Sequence, residues 1–200
     1  MHTADEVNVD RRRFLTASAT VVGGVGAAFV AVPFLASWSP SRRAQAAGAP
    51  VEVDISKLEP GARLVVEWRG KPVWVVNRTE GMMETLPEVS DELRDPDSSA
   101  SEQPPYAQNP ARARENNPQI LVVVGICTHL GCSPLYRPEP GGEELGADWL
   151  GGFFCPCHGS KFDLSGRVYT GVPAPTNLVI PPYQYLSDTR LLVGSDSEAA

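Results

Sequence analysis

The residues best suited to chemistry lie close together in this 200-residue sequence. All four Cys and two of the three His fall between Cys127 and His158, and only His2 lies elsewhere. They form two boxes, Cys127-Thr-His129-Leu-Gly-Cys132 and Cys155-Pro-Cys157-His158-Gly-Ser160. Thiolates and imidazoles are soft and borderline ligands, so these residue types at this spacing indicate a bound transition metal.

Three kinds of site are compatible with the two boxes. A structural zinc site takes four Cys or His ligands, but it favours gaps of two or more residues and leaves two Cys unexplained. A nucleophilic Cys with a His partner needs only two of the six residues. A 2Fe–2S cluster can take one Cys and one His from each box, with the other two Cys joined to each other. We favour the cluster because it uses all six residues.

The pattern C-x-H-x-x-C followed by C-x-C-H-G-S resembles the paired boxes of Rieske iron–sulfur proteins. In that family the first Cys of each box and both His are the cluster ligands. The resemblance therefore implies that Cys127 and Cys155 bind one iron. It implies that His129 and His158 bind the other.

The resemblance also implies a disulfide between Cys132 and Cys157, which suits an oxidising compartment. Two neutral imidazoles in place of two thiolates remove negative charge from the cluster and raise its reduction potential. The remaining ring nitrogens of the His ligands respond to the charge of the iron, so electron and proton uptake are coupled. A cluster with this property is suited to oxidising a quinol.

The elements that must position the two boxes are mostly β. Two apolar stretches, 63–68 and 71–77, flank Arg69-Gly70 and predict a hairpin. Residues 87–118 are rich in Pro, Asp, Ser and Asn, and we expect a long surface excursion there. The fold class expected is an antiparallel Rieske-type β domain with two cluster-binding loops, preceded by one transmembrane helix. Further short strands are expected at 120–126, 150–154, around 162, and at 167–169, 177–180, 183–186 and 190–193.

The N-terminal part has the features of an exported and anchored protein. Residues 14–41 carry no charge and are long enough to cross a bilayer as a helix. The preceding Arg11-Arg12-Arg13-Phe14-Leu15 resembles a twin-arginine export signal. Ala44-Gln45-Ala46 could be a cleavage site, so retention of the segment stays open. The expected domains are a cytoplasmic tail with the export signal (1–13), a transmembrane anchor (14–38), a flexible hinge (39–50) and a periplasmic head (51–200).

The anchor, the linker, the boxes and Gly171-Val-Pro-Ala-Pro175 together resemble the Rieske subunits of bacterial quinol–cytochrome c reductases. That resemblance implies an electron-transfer subunit of a proton-translocating oxidoreductase, which takes one electron and a proton from ubiquinol or another quinol. It implies cytochrome b and c-type cytochrome partners, a dimeric complex, and a place in the bacterial inner membrane with the head in the periplasm. In this family the N-terminal helix is kept, which favours retention.

The family also assigns roles around the cluster. His158 would contact the quinol and His129 would be similarly exposed. Leu130 and the loop at Pro173 would cover the cluster, and the Ser160 hydroxyl would bond a bridging sulfide.

Two departures from the family pattern stand out. Phe162 occupies a position where the family often has a Tyr that donates a hydrogen bond toward a cluster ligand. Val172 lengthens the usual Gly-Pro-Ala-Pro turn, which puts its cover of the cluster in question.

The overall charge narrows the choice of partners. A formal charge of −7 and a pI near 5.0 argue against a nucleic-acid partner. Two alternatives remain open from the sequence. One is the Rieske subunit of a soluble periplasmic oxidoreductase of the arsenite-oxidase type, and the other is a structural zinc domain without a redox role.

Overall fold

The computed structural model describes residues 8–142 and 144–196. The chain divides into two compact units, residues 1–46 and 47–200. His2 and the first seven residues of the predicted cytoplasmic tail lie outside the described ranges.

The N-terminal unit contains one long helix, α1 (Val9–Ala36). It begins five residues before the predicted anchor because the side chain of Asn8 caps it, accepting the backbone N–H of Arg11 at 3.0 Å. Its most apolar stretch has a mean hydropathy of 2.0, and by length and composition the helix is able to cross a membrane. The expectation of one N-terminal apolar helix as a candidate span is confirmed.

The linker predicted as a flexible hinge contains regular structure. Helix α2 (Arg42–Ala47) occupies its centre. The hydroxyl of Ser41 caps this helix by accepting the backbone N–H of Ala44 at 3.1 Å. The flexible hinge at 39–50 stays a prediction. Residues 39–41 and 48–50 are the part of it that lies outside α2.

The second unit is built from three antiparallel sheets of three strands each, in the orders β1-β9-β8, β2-β3-β4 and β5-β6-β7. The mostly β, antiparallel class is therefore confirmed. In the described part of this unit, one helix and two 3₁₀ turns accompany the sheets: α3 (Glu80–Glu88), Ser90–Glu92 and Pro105–Ala107. The strands are β1 (Val51–Asp54), β2 (Arg63–Trp68), β3 (Lys71–Asn77), β4 (Ile120–Val124), β5 (Leu135–Arg137), β6 (Gly152–Cys155), β7 (Ser160–Phe162), β8 (Tyr183–Ser187) and β9 (Arg190–Val193).

The β2–β3 hairpin forms at the predicted turn. Arg69 and Gly70 both have positive φ, 53° and 70°, as a two-residue type I′ turn requires. Two predicted strands are absent from the described residues. The 167–169 stretch makes only isolated bridges. The 177–180 stretch instead donates backbone N–H groups to Gly166 and Glu102, at 2.8 and 3.1 Å.

The core packs closely beneath the two boxes. Trp74 of β3 stacks on Phe153 of β6 with ring centroids 5.3 Å apart. A Cβ added at Gly125 would lie 2.1 Å from the Trp74 ring, so this position, two residues before Cys127, admits only glycine. The aromatic pair thus supports the strand ends from which both boxes begin.

The 87–118 stretch is not the surface excursion that its composition suggested. Several of its residues are buried, among them Asp95, Ser98, Ala107 and Arg112. Leu93 forms an antiparallel bridge with Tyr169, which ties the stretch to the region after β7. The Asp95 carboxylate and the terminal nitrogens of Arg112 have hydrogen-bond partners within the protein, so these groups do not need to face water.

Three arginines are buried in the second unit: Arg78, Arg112 and Arg167, all at most 1% exposed. Arg167 pairs with Asp163 at 2.7 Å. Arg78 donates to the carbonyl of Leu164 and to the Ser165 hydroxyl, and burial lowers its pKa to about 10. Buried cations with so many acceptors hold the turn after β7 in place.

Candidate metal centre

The first box is the loop between β4 and β5. Its turn is closed by the backbone N–H of Gly131, which donates to the carbonyl of Cys127 at 3.0 Å. The N–H of Cys127 in turn donates to the carbonyl of Cys132 at 2.7 Å. Gly131 has φ of +84°, a conformation that favours glycine.

The second box is the turn of the β6–β7 hairpin. Cys155 and Ser160 are the last paired residues of the two strands. Here too the backbone N–H of a glycine, Gly159, donates to the carbonyl of the first Cys of the box, at 2.9 Å. Gly159 also has a positive φ, +77°. The two boxes therefore share one turn design, with the first Cys at its start and a glycine four residues later.

A disulfide between Cys132 and Cys157 joins the two loops, with their Cα atoms 6.7 Å apart. Cys127 and Cys155 are free thiols and both are buried. The sulfur of Cys155 lies within 4.8 Å of both disulfide sulfurs. That trio is not a metal site, because disulfide sulfurs offer no thiolate.

The two imidazoles lie next to each other in an edge-to-face arrangement. The rings of His129 and His158 have centroids 4.7 Å apart and planes at 89°. The Nδ1 atom of His129 is buried and has no hydrogen-bond partner among the described residues. A buried, unpartnered ring nitrogen is costly unless it binds a metal. His158 is exposed, whereas His129 is half-buried.

The two thiols complete the donor set. Burial raises the pKa of the Cys127 thiol, and the neighbouring Cys155 thiol acts in the same direction. The Ser160 hydroxyl is close enough to Cys127 to act in the opposite direction. A buried thiol of raised pKa becomes a thiolate when a cation is bound. The two buried free thiols and the two imidazoles fit a 2Fe–2S cluster with mixed Cys and His ligation.

The proline loop (Gly171–Pro175) stays attached to the second box despite the additional Val172. The N–H of Ala174 donates to the Ser160 hydroxyl oxygen at 3.1 Å. Val172 is accommodated because its side chain packs against both hydrophobic clusters of the unit. Pro173 and Pro175 flank the buried Ala174 and are exposed, as is Leu130, at 71%.

Phe162 is fully buried on β7, in register with Phe153. Sequence reasoning missed two residues near the centre. Thr128, inside the first box, donates its hydroxyl to the carbonyl of Thr176 at 2.7 Å. Asn177, fully buried just after the proline loop, makes several hydrogen bonds. A hydroxyl residue between two predicted ligands was an available signal for Thr128, whereas nothing local distinguishes Asn177.

Comparison with known families identifies two parts of the chain. The family described as "Rieske [2Fe-2S] domain" matches residues 105–184. The family described as "Ubiquitinol-cytochrome C reductase Fe-S subunit TAT signal" matches residues 1–41. The first match contains both boxes, and the second contains the arginine run and the whole of α1.

Individual relatives extend the similarity to nearly the whole chain. The ubiquinol-cytochrome c reductase iron-sulfur subunit of Allochromatium vinosum is 59% identical over 99% of this chain and 95% of its own length. The subunit of the same name from Blastochloris viridis is 40% identical over 98% of both. A solved structure titled "Hyperthermophilic respiratory Complex III" is 27% identical over 90% of this chain and 98% of its own, with a TM-score of 0.48.

Proposed function

The chain belongs to the family of ubiquinol–cytochrome c reductase iron–sulfur subunits, and we propose that it binds its cluster through the two buried thiols and the two imidazoles described above. Family membership establishes an electron-transfer subunit of this oxidoreductase, with a Rieske 2Fe–2S cluster as cofactor. The arsenite-oxidase-like and zinc alternatives are set aside by the same finding. What remains to be assigned is the role of each residue.

Cys127 and Cys155 supply the two thiolates in this proposal, since they are the buried cysteines outside the disulfide. His129 supplies its buried Nδ1, the atom that otherwise lacks a partner. His158 supplies the fourth donor from the second box. The cluster, when bound, accepts and releases one electron at a potential raised by the two neutral imidazoles.

The observation that carries the proposed quinol contact is the exposure of His158 beside the half-buried His129. The outward ring nitrogen of His158 accepts a hydrogen bond from the quinol hydroxyl and then holds its proton. The exposed side chains of Leu130 and Pro173 provide an apolar surface for the quinol ring and exclude water from this contact.

The remaining parts of the proposal concern placement and partners. Helix α1 is a retained anchor in the bacterial inner membrane, supported by its length, its apolar composition and the export-signal match. The head lies in the periplasm and exchanges electrons with cytochrome b-bound quinol and a c-type cytochrome, within a dimeric complex. The names of the relatives support the quinol and the cytochrome c. The periplasmic head, cytochrome b and the dimer are implied by the family resemblance.

The test is EPR of the dithionite-reduced protein in its own membranes, with and without a quinol-site inhibitor. We expect a Rieske-type signal whose line shape changes when the inhibitor occupies the quinol site. A signal that the inhibitor leaves unchanged would contradict the quinol contact at His158. N-terminal sequencing of the mature protein tests retention, because cleavage near Ala46 would remove the anchor.

A further inference from the structure

One segment of the chain fastens the proline loop (Gly171–Pro175) at both ends. We name residues 92–101 the strap. Before the loop, the N–H of Thr170 donates to the carbonyl of Glu92 at 2.8 Å. Within it, the Arg94 guanidinium donates to the carbonyl of Val172 at 3.0 Å. After it, the N–H of Asn177 donates to the Ser101 hydroxyl oxygen at 3.0 Å.

Asn177 is the centre of this fastening and is fully buried. Its Oδ1 accepts the backbone N–H of Val168 at 2.8 Å. Its Nδ2 donates to the carbonyl of Asp95 at 2.9 Å and to the Ser98 hydroxyl at 3.0 Å. Both the oxygen and the nitrogen of the amide group thus have partners, two of which lie in the strap. Replacing either atom would leave a buried polar group without a hydrogen bond.

Asp95 makes the strap itself rigid. Its carboxylate accepts the N–H groups of Ser99 and Ala100 at 2.8 and 3.2 Å, and the Ser101 hydroxyl at 2.5 Å. Since Ser101 also accepts the N–H of Asn177, the Asp95 carboxylate and the Asn177 backbone are linked through one hydroxyl group. A buried network of this kind, with its members satisfied, has one preferred arrangement.

The network reaches the metal centre at two points. Ala174 of the proline loop bonds to Ser160 of the second box. Thr176, between that loop and Asn177, bonds to Thr128 of the first box. The position of the proline loop over both boxes therefore depends on the strap as well as on the boxes.

We propose that Asp95 and Asn177 are positioning residues for the electron-transfer reaction: through the strap they fix the proline loop relative to His129 and His158. They set the access of quinol to His158 and the environment of the cluster without touching either. This inference rests on the quinol contact proposed above.

The test is Asn177→Asp in the assembled membrane complex. The new carboxylate has the size of the amide and still offers an oxygen that accepts the N–H of Val168. It has no N–H to donate to Asp95 and places a second negative charge beside the Asp95 carboxylate. We expect kcat/KM for quinol to fall about ten-fold, as is typical when a supporting hydrogen bond is lost, with the change mainly in KM. The midpoint potential should shift, the EPR lines should broaden, and amide hydrogen exchange at 172–176 should become faster.

A matched control is Asn109→Asp. Asn109 also bridges two carbonyls with its Nδ2, those of Tyr106 and Ala113 at 2.9 and 2.8 Å. Within the described ranges its side chain forms no hydrogen bond to the proline loop. Its replacement should lower stability while leaving the potential, the EPR line shape and KM unchanged. If Asn177→Asp changes these quantities no more than the control does, the positioning role is excluded.

A second variant covers the case in which Asn177→Asp fails to assemble. Asp95→Asn keeps the shape of the strap, and we expect the same changes in exchange, potential and KM in weaker form. Combining it with Asn177→Asp removes the like-charge repulsion and should restore part of the lost kcat/KM. Strictly additive losses would overturn the proposed link between the two residues. Faster exchange at 172–176 with KM unchanged would support the positioning role and contradict the quinol contact instead.

Discussion

The backbone N–H of Ala174 donates a hydrogen bond of 3.1 Å to the hydroxyl oxygen of Ser160, joining the proline loop to the second box. Because this oxygen acts as an acceptor, the hydroxyl hydrogen remains available for a sulfur atom at the metal centre. Ser160→Ala removes both bonds, so we expect a lower midpoint potential and faster amide exchange at Ala174. Protein-film voltammetry and exchange measurements on the same sample check the two effects.

A control for that substitution is Ser165→Ala. Ser165 is also a buried serine, and its hydroxyl bonds to Arg78 at 2.7 Å, away from the thiols. Ser165→Ala should lower the stability of the head and leave the midpoint potential unchanged. An equal fall in potential for both variants would remove the special role of Ser160.

Phe162→Tyr should raise the midpoint potential. Phe162 is fully buried on β7. The resemblance to the Rieske family implies that a tyrosine at this position would donate a hydrogen bond toward a cluster ligand. An added donor stabilises the reduced cluster, which carries more negative charge. Voltammetry of Phe154→Tyr, on the neighbouring strand, controls for the effect of a new hydroxyl alone. A potential that falls or stays constant in Phe162→Tyr would contradict the expectation.

Removing the disulfide with Cys132→Ala and Cys157→Ala should destabilise the head. The two cysteines are 25 residues apart in sequence. By the chain-entropy argument, a closed loop of this length contributes about 3 kcal/mol to the free energy of unfolding. Urea unfolding followed by circular dichroism and by cluster absorbance measures the loss, and we expect the absorbance to disappear first. Unchanged unfolding midpoints would show that the ligands alone hold the two loops.

The tyrosines predict a loss of stability at alkaline pH. Burial raises the pKa of all five, with Tyr136 at about 12. Each phenol has a higher pKa in the folded state than its usual value of about 10. Its contribution to the stability of the fold is fully present below pH about 10. This contribution is lost as the pH rises through the folded pKa. Absorbance at 295 nm should therefore show phenolate formation only together with unfolding.

Tyr136→Phe provides the matching variant. The Tyr136 hydroxyl donates to the carbonyl of Gly61 at 3.0 Å, so its loss should cost about 1 kcal/mol at neutral pH. The dependence of stability on pH between about 10 and 12 should become shallower. An unchanged dependence would mean that other groups control alkaline unfolding.

The hinge prediction can now be made more specific. Helix α2 ends at Ala47, so prolines placed inside it would break the helix as well as stiffen the chain. Gly48→Pro with Ala49→Pro stiffens the segment after the helix. We expect slower quinol-to-cytochrome turnover with an unchanged EPR spectrum. Full turnover in this variant would exclude movement about these residues.

The sequence was sufficient to predict the parts of the site that depend on local spacing. The two ligand boxes were recognised from the spacing of their Cys and His residues, and the β2–β3 hairpin was predicted from Arg69-Gly70. A buried strand was predicted from the apolar run at 120–126, and β4 covers Ile120–Val124 of it. These features need no knowledge of distant residues.

The strap and the buried arginines could not be predicted in the same way. A segment rich in Asp, Ser and Pro has the composition of a solvated loop, because composition does not show which acceptors other segments will provide. Arg112 is buried because the carbonyls of Ser165 and Gly166 accept from it, more than fifty residues along the chain. The Asn177 amide nitrogen likewise donates to Asp95 and Ser98, 82 and 79 residues away. Contacts of that kind appear only in the folded structure.

The disulfide and the ligands are interleaved, since each box provides two donors and one half of the bond. On the export route proposed here, the head crosses the membrane already folded, from a compartment that keeps thiols reduced. The cluster must then be inserted before the disulfide exists, with the four donors alone holding the loops together during transport. The bond forms afterwards, in the oxidising compartment. The disulfide therefore protects the assembled metal centre and takes no part in its assembly.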